Sequence, residues 1–149
     1  MRRFIYRWHL QASAERINVM KLNGKATRTI WVRPEGFPVE IIDQTALPHT
    51  FKTVVLKTCD DAAYAIQAML VRGAPLIGVT AAYGVAIAMQ CGASDAALDA
   101  AWENLHETRP TAINLKWALD EMRGLLRGVP EAKRVAAAYA RAAAIAAED

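Results

Sequence analysis

Two short segments of this 149-residue chain carry residue types that bind an anion. The first is Val71-Arg72-Gly73-Ala74-Pro75-Leu76-Ile77-Gly78, where an arginine and a glycine stand directly before a proline that can open a helix. The first turn of a helix leaves backbone N–H groups unpaired and carries the positive end of the macrodipole. Pro75 suits the first helical position, because its φ is already helical and its missing N–H is not needed there. Gly73 lets a ligand approach the backbone with no Cβ in the way, and Arg72 offers a forked, permanently charged donor to a phosphate. The same residues also make a plain turn before a core helix.

The second segment is Thr108-Arg109-Pro110-Thr111-Ala112-Ile113-Asn114-Leu115. Arg109 precedes a helix start as Arg72 does, so both guanidinium groups belong near unpaired amides. Two such starts facing one phosphate would hold it by charge-assisted contacts worth about 1.5–3 kcal/mol each. Taken singly, each arginine also reads as a solvated or salt-bridged side chain. Thr111 reads as an N-cap, and Asn114 as a binding amide or an ordinary helix-face residue.

The elements that must position these segments fall into two unlike halves after Met20. Residues 28–32 (RTIWV) and 38–42 (PVEII) are β-branched and aromatic runs separated by Arg33-Pro34-Glu35-Gly36, a hairpin pattern. Thr53-Val54-Val55-Leu56 supplies a third strand, so a small antiparallel sheet of about three strands is expected. From Thr58 the period becomes helical. Thr58-Cys59-Asp60-Asp61 resembles a capping box, and Ala63, Ile66, Met69 and Leu70 give a first helix, ending at Gly73, one buried face.

The second helix, from Pro75 to about Gln90, is rich in small residues and should run through the middle of a bundle. Ser94 caps a third helix to about Glu107. A fourth carries Ile113, Leu115, Trp117, Leu119, Met122 and Leu126 before Gly128, and Pro130 opens an Ala-rich fifth that needs a close partner. The fold class is therefore α+β, a small sheet over 20–57 followed by a five-helix bundle over 58–149. Ile66, Ile77, Ala81, Leu98, Trp102, Leu115, Trp117, Leu119 and Met122 are the expected core positions.

Other chemistries find little support. Cys59 and Cys91 have neither zinc-site spacing nor a disulfide framework around them, and read as buried or half-buried thiols in a reducing compartment. His9, His49 and His106 lack a liganding partner at i+4, so no metal site is expected. Asp43 and His49 are titratable, but a turn-capping role suits Asp43 better than general acid–base work. The formal charge of +3 comes from residues 1–19, where Arg2, Arg3, Arg7 and Arg16 outnumber Glu15; the remaining residues balance at 14 basic and 14 acidic. That distribution argues against a nucleic-acid partner. The apolar run from Pro75 to Cys91 is short and carries Thr80, Tyr83 and Gln90, so a buried helix is expected rather than a membrane span. Residues 1–19 lack a signal peptide's apolar core, and read as a poorly ordered extension ahead of Met20 or as an Arg-rich presequence.

Three strings together resemble the N-terminal domain of the methylthioribose-1-phosphate isomerase family: IWV…VEIIDQTALPH, AAYAIQAMLVRGAPLIGVTAAYGVAIAM and TRPTAINLKWALDEM. The similarity covers about residues 20–149, and its wider superfamily includes ribose-1,5-bisphosphate isomerases and regulatory subunits of translation initiation factor 2B. The resemblance implies a cytoplasmic, cofactor-free aldose–ketose isomerisation of a phosphosugar in methionine salvage, and a homodimer for the full-length family. It implies substrate binding by Arg72, Gly73, Ala74 and Arg109; Ala74 enters on that ground alone. It also places the family's catalytic cysteine and aspartate in a C-terminal Rossmann-like domain. Neither Cys59 nor Cys91 has the surroundings of that cysteine, so no catalytic residue is assigned within this chain and the chain alone is expected to be inactive or nearly so.

Overall fold

The computed structural model describes residues 19–22, 25–33 and 38–148. The expected sheet is present as an antiparallel meander of β3 (Ile30–Val32), β4 (Val39–Ile42) and β5 (Thr53–Leu56), with Ile30 opposite Ile41 and Ile41 opposite Val54. Before it lies a second, two-stranded ladder of β1 (Val19–Leu22) and β2 (Lys25–Arg28), which the sequence reading did not include. Its signal was available, since Asn23-Gly24 between the two strands is the dipeptide most favoured in two-residue hairpin loops. The anticipated strand over 28–32 is consequently split at Thr29. Residues 1–18, read as an extension, lie outside the described residues, whereas Val19 begins β1.

Ile30, Val39, Ile41 and Leu56 are fully buried and join the sheet to the core of the helical half. The first helix, α1 (Cys59–Gln67), begins with the full capping box: the Asp61 amide donates to Thr58 Oγ1 at 3.0 Å, and Asp61 Oδ2 accepts from the Thr58 amide at 3.1 Å. It stops well short of Gly73. Met69 adopts a left-handed φ of 62°, which turns its side chain into solvent and removes it from the buried face expected of it.

The centre of the bundle is α2 (Ala74–Cys91), packed on α1, α3 (Asp95–His106), α4 (Ile113–Arg127) and α5 (Arg134–Glu148). It is long and apolar enough to cross a membrane by composition, yet its side chains from Leu76 to Ile87 are buried among the other helices. Small residues permit this enclosure. A Cβ added at Gly84 would lie 3.0 Å from Ala62 Cβ and 3.0 Å from Leu105 Cδ1, so α1 and α3 both close on the same glycine. The buried Thr80 hydroxyl donates to the Leu76 carbonyl at 2.8 Å, which removes the cost of an unpaired polar group.

Ser94 caps α3 by accepting from the Ala97 amide at 3.1 Å. A 3-10 turn over Glu131–Lys133 separates Pro130 from α5, so the proline opens that turn rather than the α-helix itself. The Ala-rich α5 finds its close partner in α2, burying Ala138, Ala142 and Ala146, with Tyr139 against Tyr83 at a ring separation of 6.3 Å. Arg134 is buried at the start of α5. Its Nε and Nη1 donate to the carbonyls of Val129 and Ala93, each at 2.8 Å, and Nη2 pairs with Asp95 at 2.8 Å, tying the α2–α3 loop to the α4–α5 connection.

Four expected positions need correction. Trp117 is 49% exposed and Ile113 83% exposed, because Leu115, Leu119, Met122 and Leu126 form the buried stripe of α4, and a residue two positions away lies about 200° round the helix. Trp102 is half-buried: its indole N–H donates to Asp120 at 2.9 Å while Arg123 lies over its ring at 4.4 Å. Cys91 is exposed at the end of α2 rather than buried. The remaining core expectations hold.

The packing at Gly84 yields an opposed pair of outcomes. Gly84→Val should destabilise by about 1–3 kcal/mol through overpacking against Ala62 and Leu105. Gly124→Ala, on an exposed stretch of α4 with nothing within 4 Å, should stabilise by about 1 kcal/mol through helix propensity. Thermal melts of both variants check the contrast, and an undiminished Tm for Gly84→Val would refute the close approach.

Candidate anion-binding site

The chain between α1 and α2 is built by a short series of backbone bonds. The Leu70 amide donates to the Ala65 carbonyl at 2.9 Å, and the Leu70 carbonyl accepts from the Gln44 amide at 2.9 Å. That second bond lays the loop after β4 against the turn carrying Arg72. The loop itself is held by Asp43, which is buried and whose Oδ1 accepts from the Thr45 amide at 2.9 Å and from the Thr45 hydroxyl at 2.5 Å. Asp43 is thus a turn-capping residue in the structure. His49 is exposed in the same loop.

Gly73 is the N-cap of α2, with φ 92° and ψ 133°. Nothing lies within 4 Å of where its Cβ would stand, so its backbone conformation, not lack of room, calls for glycine. Helical geometry begins at Ala74, which places Pro75 second in the helix rather than first; an N–H is unneeded there too. No side chain caps this end, and the amides of Ala74 and Leu76 have no intrahelical acceptor. Arg72, Gly73 and Ala74 are all exposed.

The second helix start is built alike. The Ala112 amide donates to the Arg109 carbonyl at 3.0 Å, and the Thr108 hydroxyl donates to the Leu105 carbonyl at 2.6 Å, closing the turn after α3. The N-cap of α4 is Ala112, not Thr111, and it too makes no side-chain cap bond. Arg109 is half-buried.

The start of α4 packs on α2 one turn in from its own start. A Cβ on Gly78, one turn into α2, would lie 3.1 Å from the Asn114 carbonyl oxygen in the first turn of α4 and 3.6 Å from Ala118 Cβ. Two clefts open beside this contact. One of about 320 Å³ is lined by Pro75, Gly78, Asn114, Trp117, Ala118, Ile145 and Glu148. The other, about 290 Å³, is lined by Pro110 to Ile113 with Lys116, Trp117 and Asp120. Trp117 is therefore a wall of both clefts, a role its apolar character alone did not disclose. Asp120 is held below the usual carboxylate range by the Lys116 ammonium, which it meets at 2.8 Å, with help from the Trp102 indole and Arg123. Among the described residues no three His, Cys, Asp or Glu side chains gather as metal ligands would.

No protein-family profile matches the chain. Known proteins do. The methylthioribose-1-phosphate isomerase of Brucella anthropi is 63% identical over 130 residues, which is 87% of this chain and 36% of that protein. The resemblance is to the N-terminal part of methylthioribose-1-phosphate isomerases. The chain thus spans about a third of the length of the curated relatives it matches. Among solved structures, 5-methylthioribose 1-phosphate isomerase from Pyrococcus horikoshii superposes with a TM-score of 0.75 at 32% identity, covering 87% of this chain and 40% of that one. The delta subunit of translation initiation factor eIF-2B from A. fulgidus gives 0.74 at 30% identity, over 82% of this chain and 37% of that one.

The two thiols differ in chemistry. Burial pushes the Cys59 thiol up to about 11, with the Asp60 and Cys91 side chains adding to the shift and an Asn104 contact opposing it. The thiolate is the reactive form, so a thiol-alkylating reagent at pH 8 should modify exposed Cys91 first. Cys59 labelling should rise only as the pH approaches that value. Peptide mapping by mass spectrometry checks this, and equal labelling at pH 8 would contradict it.

Proposed function

We propose that this chain is the substrate-binding N-terminal part of an aldose–ketose isomerase that converts 5-methylthioribose 1-phosphate to 5-methylthioribulose 1-phosphate, a step of methionine salvage, in the cytoplasm. The observation that carries the reading is the 63% identity to an enzyme of that name over 130 residues. The packing of Gly78 on Asn114, which sets two uncapped helix starts side by side, supports it physically. In this reading the substrate phosphate lies at the first turn of α2, near the amides of Ala74 and Leu76 and the backbone of Gly73. Arg72 and Arg109 neutralise its charge from the two turns.

The phosphate sits on the anomeric carbon, so the sugar cannot open as a free aldose does, and the protein must hold it while hydrogen moves between the first two carbons. That transfer needs a titratable group within hydrogen-bond reach. Asp43 is occupied by Thr45, so binding and orientation are the tasks assigned to this chain. The acid and base belong to the part of the longer relatives that this chain does not span.

A second reading, a phosphosugar-binding regulatory module without chemistry, draws on the likeness to the eIF-2B delta subunit. Both readings require an anion at the helix starts, and the isomerase reading alone requires that a completed protein turn over substrate.

Inorganic phosphate titrated into the 149-residue chain should shift the amide NMR signals of residues 72–76. Arg72→Ala and Arg109→Ala should each weaken binding about tenfold or more, as loss of one charge-assisted contact implies. Absence of any response at either arginine would remove both readings. A coupled isomerase assay on the same chain should show no substantial turnover; fusing it to the remainder of the Brucella anthropi relative should restore it, and failure of a folded fusion would favour the regulatory reading.

A further inference from the structure

Among the described residues lining the cleft that begins at Pro75, no charged group is free to bind a second phosphate: the carboxylate of Glu148 is paired with Arg141 at 3.0 Å. Its remaining walls are Pro75, Gly78, Ala118, Ile145 and the indole of Trp117, with Asn114 as the polar exception. We propose that Trp117 is a specificity-determining residue, and that this cleft takes the apolar methylthio end of the phosphosugar whose phosphate lies at the α2 start.

The inference rests on the phosphosugar reading above and deepens it. Three observations carry it. The cleft starts one residue along the chain from Ala74, so a ligand anchored at the helix start reaches it directly. Its volume of about 320 Å³ suits a sugar-sized molecule, at the lower end of ligand cavities. Trp117 is half-exposed and lies off the buried stripe of α4, so packing of this core does not account for an indole at that position. A thioether gains from contact with an aromatic ring as well as from leaving water, whereas a hydroxyl in its place would lose hydrogen bonds to solvent. Asn114, exposed at the cleft's edge, offers both a donor and an acceptor to sugar hydroxyls.

The test compares three probes on the 149-residue chain by calorimetry: inorganic phosphate, ribose 1-phosphate and 5-methylthioribose 1-phosphate. The wild type should bind the methylthio sugar about tenfold tighter than ribose 1-phosphate, the scale of discrimination an apolar pocket provides. Trp117→Ala should bring that ratio to near one while leaving inorganic phosphate affinity and Tm unchanged, and Trp117→Phe should keep most of it. Magnetisation transfer from the S-methyl protons should reach the Trp117 indole. A wild-type ratio near one, S-methyl contacts to other residues, or an equal loss of all three probes in Trp117→Ala would each overturn the inference. Phosphate binding that ignores Arg72 and Arg109 would instead sink the phosphosugar reading while the ratio still judges Trp117. No binding of any probe would overturn both.

Discussion

Everything else in this fold follows from the need to surround α2. Its side chains from Leu76 to Ile87 point in all directions and are all buried, so no orientation of the helix against a single partner would serve. Four helices close on it, and three of them, α4 at Gly78 and α1 and α3 at Gly84, do so at distances that leave almost no room for a methyl group. The small residues weaken the helix intrinsically, since each glycine in a helix interior costs about 1 kcal/mol relative to alanine. Close approach offsets this by bringing α1, α3 and α4 near enough for dispersion contacts along the whole length. The alanines of α5 follow the same logic, because a side chain of one carbon contributes to a core only where the neighbouring backbone comes close.

Such a bundle must also fix its loops, and it does so with few, strong polar contacts. Arg134 is the main one, a buried cation whose donors meet two carbonyls and a carboxylate. The carbonyls of Ala93 and Val129 end different segments, and without the guanidinium both would lose a charge-assisted partner. Elsewhere a backbone bond, from the Gln44 amide to the Leu70 carbonyl, links the loop after β4 to the turn that carries Arg72. The sheet is thereby tied to the turn before α2 through its connections.

Much of this was legible in the residues. The capping box at Thr58, the Ser94 cap, the small-residue α2 and the strand pattern of 28–56 are local signals, and local signals survive into the structure when packing agrees with them. The departures have a common cause. Whether Trp117 or Leu119 faces the core depends on which stripe of α4 meets α2, a tertiary choice that apolar character at both positions leaves open. The early end of α1 depends on Met69 entering a left-handed conformation, unusual for a residue with a Cβ and not announced by its type. Only the β1–β2 ladder was missed despite a plain local cue, the Asn23-Gly24 pair. At the candidate site, sequence singled out the two Arg-containing turns, but their juxtaposition through Gly78 and Asn114 required the folded chain.

Several departures from local rules lie around the Gly78–Asn114 contact. α1 and α3 carry side-chain caps, whereas α2 and α4 carry none, and the first turn of α4 packs on α2 at Gly78. A Ser, Thr, Asp or Asn at such a position is ordinarily worth about 1 kcal/mol. Beside the same contact stand a glycine at positive φ, the exposed Ile113 and the half-exposed Trp117. A cap side chain at Gly73 would occupy the space before the helix amides, and any Cβ there would strain the turn, so the uncapped end suits the anion-binding role proposed for it. Without a cap side chain those amides stay open, and the helix tolerates the loss because its packing, not its ends, holds it in place.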